Sequence, residues 1–100
     1  MNPSPGPVVR HNVAAQRFET EVDDQLARIE YQRDGDVLHI HHTEVPSALE
    51  GRGIAAAMAR AAFAYADASG LKVRPACSYI RAYMNRHPET KRLLAGAPSS

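Results

Sequence analysis

The stretch Val45–Ala57, VPSALEGRGIAAA, sets two glycines around Arg52 directly before an alanine-rich run. The run continues to Ser69 as GIAAAMARAAFAYADAS, and Ile54, Met58, Ala61, Ala62, Tyr65 and Ala66 recur on one stripe at helical spacing. Gly70 is placed to end that helix. A flexible junction at the start of the best helix has two readings. It is an ordinary turn, or it is a seat for something negative. The first N–H groups of a helix lack intrahelical acceptors, and the helix dipole adds partial positive charge there. Glycines let the backbone turn and let an anion approach. The loop lacks the Gly-Lys-Ser/Thr of a nucleoside-triphosphate loop. Nor does it follow the first strand of a parallel βαβ array, as a dinucleotide loop would.

Working back from the junction, the period is two. Residues 16–22, QRFETEV, put Phe18, Thr20 and Val22 on one side. Asp23-Asp24 marks a turn, and residues 25–33, QLARIEYQR, put Ala27, Ile29 and Tyr31 on one face. Asp34-Gly35 is a hairpin signal. Residues 36–45, DVLHIHHTEV, form a third strand, with Leu38, Ile40, His42 and Glu44 on one face and Val37, His39, His41, Thr43 and Val45 on the other. Working forward, LKVRP is a short strand whose Pro75 suits an edge or an opening in a sheet. CSYIRAYMNRH then reads as a helix, with Ser78 as N-cap and Pro88 as its end. The order is an antiparallel β-meander followed by α-β-α, an α/β (α+β) class in which residues 36–75 make a strand–helix–parallel strand unit.

One hundred residues fit a single domain, expected over residues 13–96, with residues 1–12 as a disordered tail. Cys77 is the one cysteine, which excludes an internal disulfide and suits a reducing, cytoplasmic setting. No apolar run approaches the ~20 residues of a membrane helix, and the opening residues carry no apolar core like that of a secretory signal. Charge is uneven. Residues 1–50 hold four Lys/Arg and nine Asp/Glu (−5), and residues 51–100 hold eight and two (+6). Either the two halves attract each other in the fold, or the basic half draws a polyanion and the acidic half a cation. Basic and aromatic residues do not interleave as on a nucleic-acid surface, and no nucleic-acid or membrane partner is expected.

Glu50-Gly51-Arg52-Gly53-Ile54-Ala55 resembles the Gln/Arg-x-x-Gly-x-Gly/Ala acetyl-CoA loop of the GCN5-related N-acetyltransferases. HTEVPSALEGRGIA followed by CSYIRAYMNRHPE is similar to the small single-domain branch of that superfamily, a likeness covering roughly residues 16–94. It departs at Glu50, which stands where Gln or Arg is usual, and in lacking the helices that shape the acceptor site in larger members. The resemblance implies a minimal acyl-CoA N-acyltransferase fold whose parallel strands splay. The pantetheine arm would pair with backbone near Thr43–Val45, and the pyrophosphate would rest on Gly51, Arg52, Gly53, Ile54 and Ala55, beside Glu50. It implies acetyl-CoA as acyl donor and an amine as acceptor. The alternative is a non-catalytic module that binds coenzyme A or an acyl-CoA.

Acetyl transfer needs a neutral amine, a stabilised oxyanion and a protonated leaving thiol. The resemblance makes backbone near Val45 the oxyanion donor and Cys77 the first candidate side chain, as acetyl acceptor or proton donor. Cys77 opens the last helix, where the dipole favours a thiolate. The other reading is a small buried residue. His42 and Glu44 share a strand face and are candidate proton acceptors; for His42 the alternative is a hydrogen-bonded core histidine, for Glu44 an exposed strand residue. Tyr79 and Tyr83 are read as core packing, although larger family members place an acidic tyrosine on this helix. His39 and His41 lack a third ligand, so no metal site is expected. Arg81, Arg86, Lys91 and Arg92 are either a solvated helix face or a reach toward the 3′-phosphate of coenzyme A. The open edge of the meander allows a monomer or a weak homodimer.

Overall fold

The computed structural model describes residues 7–96. Five strands form one sheet in sequence order: β1 (Arg10–Asn12), β2 (Arg17–Val22), β3 (Gln25–Asp34), β4 (Val37–Glu44) and β5 (Lys72–Pro75). The first three pairings are antiparallel, and β4–β5 is parallel. Helix α1 (Ile54–Ala68) makes the crossover, and α2 (Ser78–Arg86) follows β5. A 3₁₀ segment, Pro88–Leu93, leads to a parallel bridge between Leu94 and Val73 on the far side of β5. The strand Arg10–Asn12 pairs with β2 where a disordered tail was expected; the remainder of that expected tail lies partly outside the described residues.

Local chemistry sets these elements. The β2–β3 turn carries left-handed φ at Asp23 (53°) and Asp24 (62°), and the β3–β4 turn at Gly35 (60°). Two-residue hairpins need such angles to match the strand twist. Helix α1 ends on Gly70 at φ 69°. Leu71 N–H reaches the Ala66 carbonyl (2.8 Å) and Gly70 N–H that of Asp67 (3.3 Å), closing the last turn as expected for a glycine stop.

Both helices pack on one face of the sheet, α1 across β2 to β5 and α2 against β4 and β5. Phe18, Ile29, Leu38, Ile40 and Val73 from the sheet meet Ile54, Met58, Ala62 and Ile80 in a core from which water is excluded. Each such large aliphatic side chain contributes about 1.5–3 kcal/mol by burial. Phe63 and Tyr83 stack at 5.6 Å and tie the two helices together.

The opposite face is polar. Arg10 (2.8 Å) and Arg17 (2.6 Å) hold Glu19, and Arg28 bridges Glu30 (2.6 Å) and Glu44 (3.0 Å). These pairs lie within the acidic half, and Arg92–Asp67 (2.7 Å) lies within the basic half. Of the Lys/Arg–carboxylate pairs among the described residues, Arg52–Asp23 (3.2 Å) alone joins the two halves. Attraction between the halves therefore does little to hold the domain together, since one exposed pair contributes about 0–1 kcal/mol.

The short strand β1 is fastened by an aromatic group. His11 stacks on Phe18 (4.1 Å), meets Tyr65 edge-on (4.3 Å) and shares a 2.6 Å hydrogen bond between Nε2 and the Tyr31 hydroxyl. Burial lowers the pKa of His11 from its ordinary 6.5. The unfolded chain therefore takes up this proton more readily than the folded one. The stability His11 contributes is present above about pH 6.5 and is lost as pH falls toward the folded value. Between about pH 7.5 and about pH 5.5 the melting temperature of the wild type is expected to fall more steeply than that of His11→Phe, which keeps the stacking but cannot titrate. Parallel slopes in thermal melts followed by circular dichroism would remove His11 from the pH dependence.

Candidate functional site

Strands β4 and β5 run together only as far as Ile40 and Pro75. One more hydrogen bond follows, from Ala76 N–H to the Ile40 carbonyl (2.9 Å). Beyond it the chain turns at Cys77 into α2, while β4 continues to Glu44. Lys72 and Ala76 donate to the β4 side, so the Pro75 nitrogen faces the outer edge of β5, where its missing N–H costs no bond to β4. The result is a splay in which the last residues of β4 have no strand neighbour on that side.

A register shift in β4 sets which side chains enter the splay. Tyr31 pairs with Ile40 but Glu30 with His42, so His41 is an extra residue. A bulge of this kind reverses the alternation beyond it. Thr43, opposite the buried Ile29, points to the helix-covered face; His42 and Glu44, opposite Glu30 and Arg28, point to the polar one. Uninterrupted alternation predicts His42 beside Leu38 and Ile40 as a core residue. The structure instead leaves its side chain 46% exposed, because the bulge intervenes.

Cys77 occupies the N-cap position of α2, in place of the expected Ser78, and is half-buried. Its Sγ lies 3.4 Å from Thr43 Oγ1, so these two side chains meet across the splay. His42 Nε2 lies 3.2 Å from Glu44 Oε1 on the other face. Its hydrogen bond, with the nearby Arg28 charge, holds the Glu44 carboxyl below the usual range. Glu30 is lowered mainly by its hydrogen bond from Arg28. Glu44 is thus a charged, occupied carboxylate and a weak base.

After β4 ends at Glu44, Val45-Pro46 and a 3₁₀ turn, Ser47–Leu49, lead into the glycine loop. Gly51 and Gly53 have φ of 80° and 74°, and a Cβ at either would meet no atom within 4 Å. Backbone angle, not crowding, therefore selects glycine at both positions. Gly53 caps α1 without a side-chain acceptor, and no acidic residue stands in the first turn. The first helical bond runs from Ala57 N–H to the Gly53 carbonyl (3.0 Å), so the N–H groups of Ile54, Ala55 and Ala56 precede the ladder.

These groups face a cleft of about 440 Å³. Val45, Glu50, Gly51, Gly53, Ile54 and Ala55 line it together, as do Tyr79 and Arg86 from α2. Arg52 does not line it; its guanidinium pairs with Asp23 on the β2–β3 turn. Tyr79, read from the sequence as core, borders the cleft. Burial raises its pKa, and the adjacent Arg86 offsets part of the rise. Tyr83 is core, as expected. Arg86 is signalled only weakly by sequence, as one of several arginines; its place about two turns beyond Tyr79 on the helix is the sign that they border the same space.

A second depression, of about 580 Å³, opens on the polar face and is lined by Gln32, Arg33, Asp34, His39, His41 and Ala76. No helix of the described residues covers it. Sequence reasoning missed this feature, since it depends on the bulge that displaces His41.

The family model for the GCN5-related N-acetyl-transferase matches residues 17–93. Protein NATD1 of Xenopus tropicalis is 33% identical over 91 residues, which cover 88% of this chain and 84% of that protein. Protein NATD1 of Mus musculus is 33% identical over 87 residues, covering 83% and 79%. The NMR solution structure of a GCN5-like protein from Staphylococcus aureus superposes with a TM-score of 0.72 at 21% identity, covering 95% of this chain and 94% of that one. The shared fold, the matched span and the relatives agree: the chain belongs to the GCN5-related N-acetyltransferase family.

Proposed function

We propose that this protein is an acetyl-CoA-dependent N-acetyltransferase that moves an acetyl group to an amine. The observation that carries the reading is the splay of β4 from β5 beside the uncapped start of α1. The pantetheine arm would lie in the splay against the unpaired β4 backbone near Thr43–Val45, and the diphosphate would rest on the loop and helix start at Gly51, Gly53, Ile54 and Ala55, with the Arg52 side chain turned away. The acetyl carbonyl then comes near Cys77 and Thr43.

The chemistry follows from that placement. The neutral amine nitrogen attacks the thioester carbon, and the carbonyl electrons move to oxygen, where backbone N–H near Val45 stabilises the charge. Collapse of the tetrahedral species breaks the C–S bond and expels the coenzyme A thiolate. The ammonium proton leaves to His42, directly or through water, and the thiolate takes a proton from Cys77, which is restored from solvent. A covalent variant has the Cys77 thiolate accept the acetyl group first and pass it to the amine. The acceptor would enter from the polar face, which no described helix covers.

A second reading is a coenzyme A or acyl-CoA binding module without turnover. It is favoured by one observation: Glu44, the carboxylate nearest the splay, is already engaged by Arg28 and His42.

Calorimetric titration with acetyl-CoA and coenzyme A is expected to give one site per chain, abolished by Gly53→Asp. Any side chain is strained at this left-handed φ, but Asp is a favoured N-cap and among the residues that accept such an angle at least cost; a thermal melt checks that the variant is folded while it places a carboxylate at the phosphate seat. Absence of binding by the wild type would overturn both readings. Against a broad amine panel, the enzyme consumes acetyl-CoA and Cys77→Ala loses at least about 100-fold in kcat while still binding it. Full turnover by Cys77→Ala would take Cys77 out of the mechanism, and binding without any consumption by the wild type would establish the module.

A further inference from the structure

Charge at the proposed diphosphate seat is arranged unusually. The loop's own cation, Arg52, is turned away and paired with Asp23 at 3.2 Å. The first loop position supplies a carboxylate, Glu50, which lines the cleft. The cationic side chain lining the same cleft is Arg86, from the last turn of α2. Among the described residues Arg10, Arg17, Arg28, Arg52 and Arg92 each pair with a carboxylate, whereas none lies within ion-pair distance of Arg86. Its guanidinium lies close enough to Tyr79 to oppose the rise in that hydroxyl's pKa, which keeps it on the cleft side of the helix. An exposed guanidinium without a carboxylate partner presents a planar fork suited to two phosphate oxygens.

Resting on the proposed function, we propose that Arg86 is the side-chain cation for the diphosphate of coenzyme A, and that Glu50 opposes it. Affinity for the cofactor is then set by two side chains facing one cleft with opposite sign. Backbone N–H groups supply the geometry, Arg86 the charge, and Glu50 a fixed repulsion that keeps the coenzyme A product from being held too tightly. Arg52 stays with Asp23 and takes no part.

Calorimetric titration with coenzyme A at physiological salt tests this with four variants, each checked for folding by thermal melting. Arg86→Gln is expected to weaken binding about tenfold, the scale of one charge-assisted hydrogen bond. Arg86→Lys, which keeps the charge but not the fork, recovers part of that loss. Glu50→Gln tightens binding severalfold, and Arg52→Gln changes it less than about twofold, as for an exposed pair. Dephospho-coenzyme A, which keeps the diphosphate and lacks the 3′-phosphate, should lose the same factor on Arg86→Gln. An Arg86 effect that vanishes with this probe would move Arg86 to the 3′-phosphate and overturn the assignment. So would equal affinities for Arg86→Gln and wild type, or a loss in Arg52→Gln as large as in Arg86→Gln. Failure of the wild type to bind coenzyme A would instead bring down the functional reading on which this rests.

Discussion

The parallel pairing of β4 with β5 stops after Ile40, and the rest of the site depends on where it stops. A continuous pairing would satisfy every backbone group of β4 and leave no opening. One local fact enforces the stop. Directly after the Ala76 bond to Ile40, Cys77 takes an N-cap conformation that turns the chain into α2, whereas the missing N–H of Pro75 lies on the other edge of β5. The core fixes the strands up to that point, because Leu38, Ile40 and Val73 are wholly buried under α1. The sheet is therefore rigid to one residue and open from the next. An unpaired strand edge is ordinarily a liability. Here it leads to Val45, which borders a cleft that Tyr79 and Arg86 of α2 also line.

The bulge at His41 gives the opening two chemically different sides. Thr43 is brought to the helix-covered face and meets Cys77, while His42 and Glu44 are carried to the polar face. Without the extra residue the pattern would invert. His42 would be pressed into the core beside Ile40, and the hydroxyl that touches Cys77 would face water. One inserted residue thus separates a helix-covered side from an open side, and the proposed chemistry needs that separation because donor and acceptor must approach one carbonyl from different directions.

Much of this is legible in the sequence. The meander, the crossover helix and the glycine stop at Gly70 follow from period and turn chemistry, since Phe18, Ala27, Ile29, Tyr31 and Leu38 alternate cleanly and Met58, Ala62 and Ala66 recur at helical spacing. The glycine loop is legible because positive φ demands glycine at Gly51 and Gly53. The facing of His42 was not, because a bulge leaves no residue signature in HIHHTE; it is decided by what pairs across the sheet. Strand β1 escaped for a related reason. Arg10–Asn12 has no alternation to read, and it is held through the packing of His11 on Phe18 and Tyr65. Arg86 lines the cleft and Arg52, expected beside it, does not, because charge alone does not say where a long side chain points. Asp23, fixed on a tight hairpin, captures the nearer arginine.

The loop also explains how flexible residues can make an ordered seat. Residues 50–53 are exposed, yet Leu49 before them and Ile54 after them are buried. Two hydrophobic anchors five residues apart leave the segment between them little freedom in overall path. Glycines at Gly51 and Gly53 supply the angles that such a short span requires, at the entropic cost that glycine always carries in the unfolded chain. The N–H groups of Ile54 to Ala56 belong to a helix pinned by Met58, Ala59 and Ala62 against the sheet. An anion would meet donors already in position, with the ordering largely done by folding and not by binding. Flexibility in the sequence and rigidity in the structure are then two aspects of one requirement. The backbone must adopt angles that side chains forbid, and the core must hold it there.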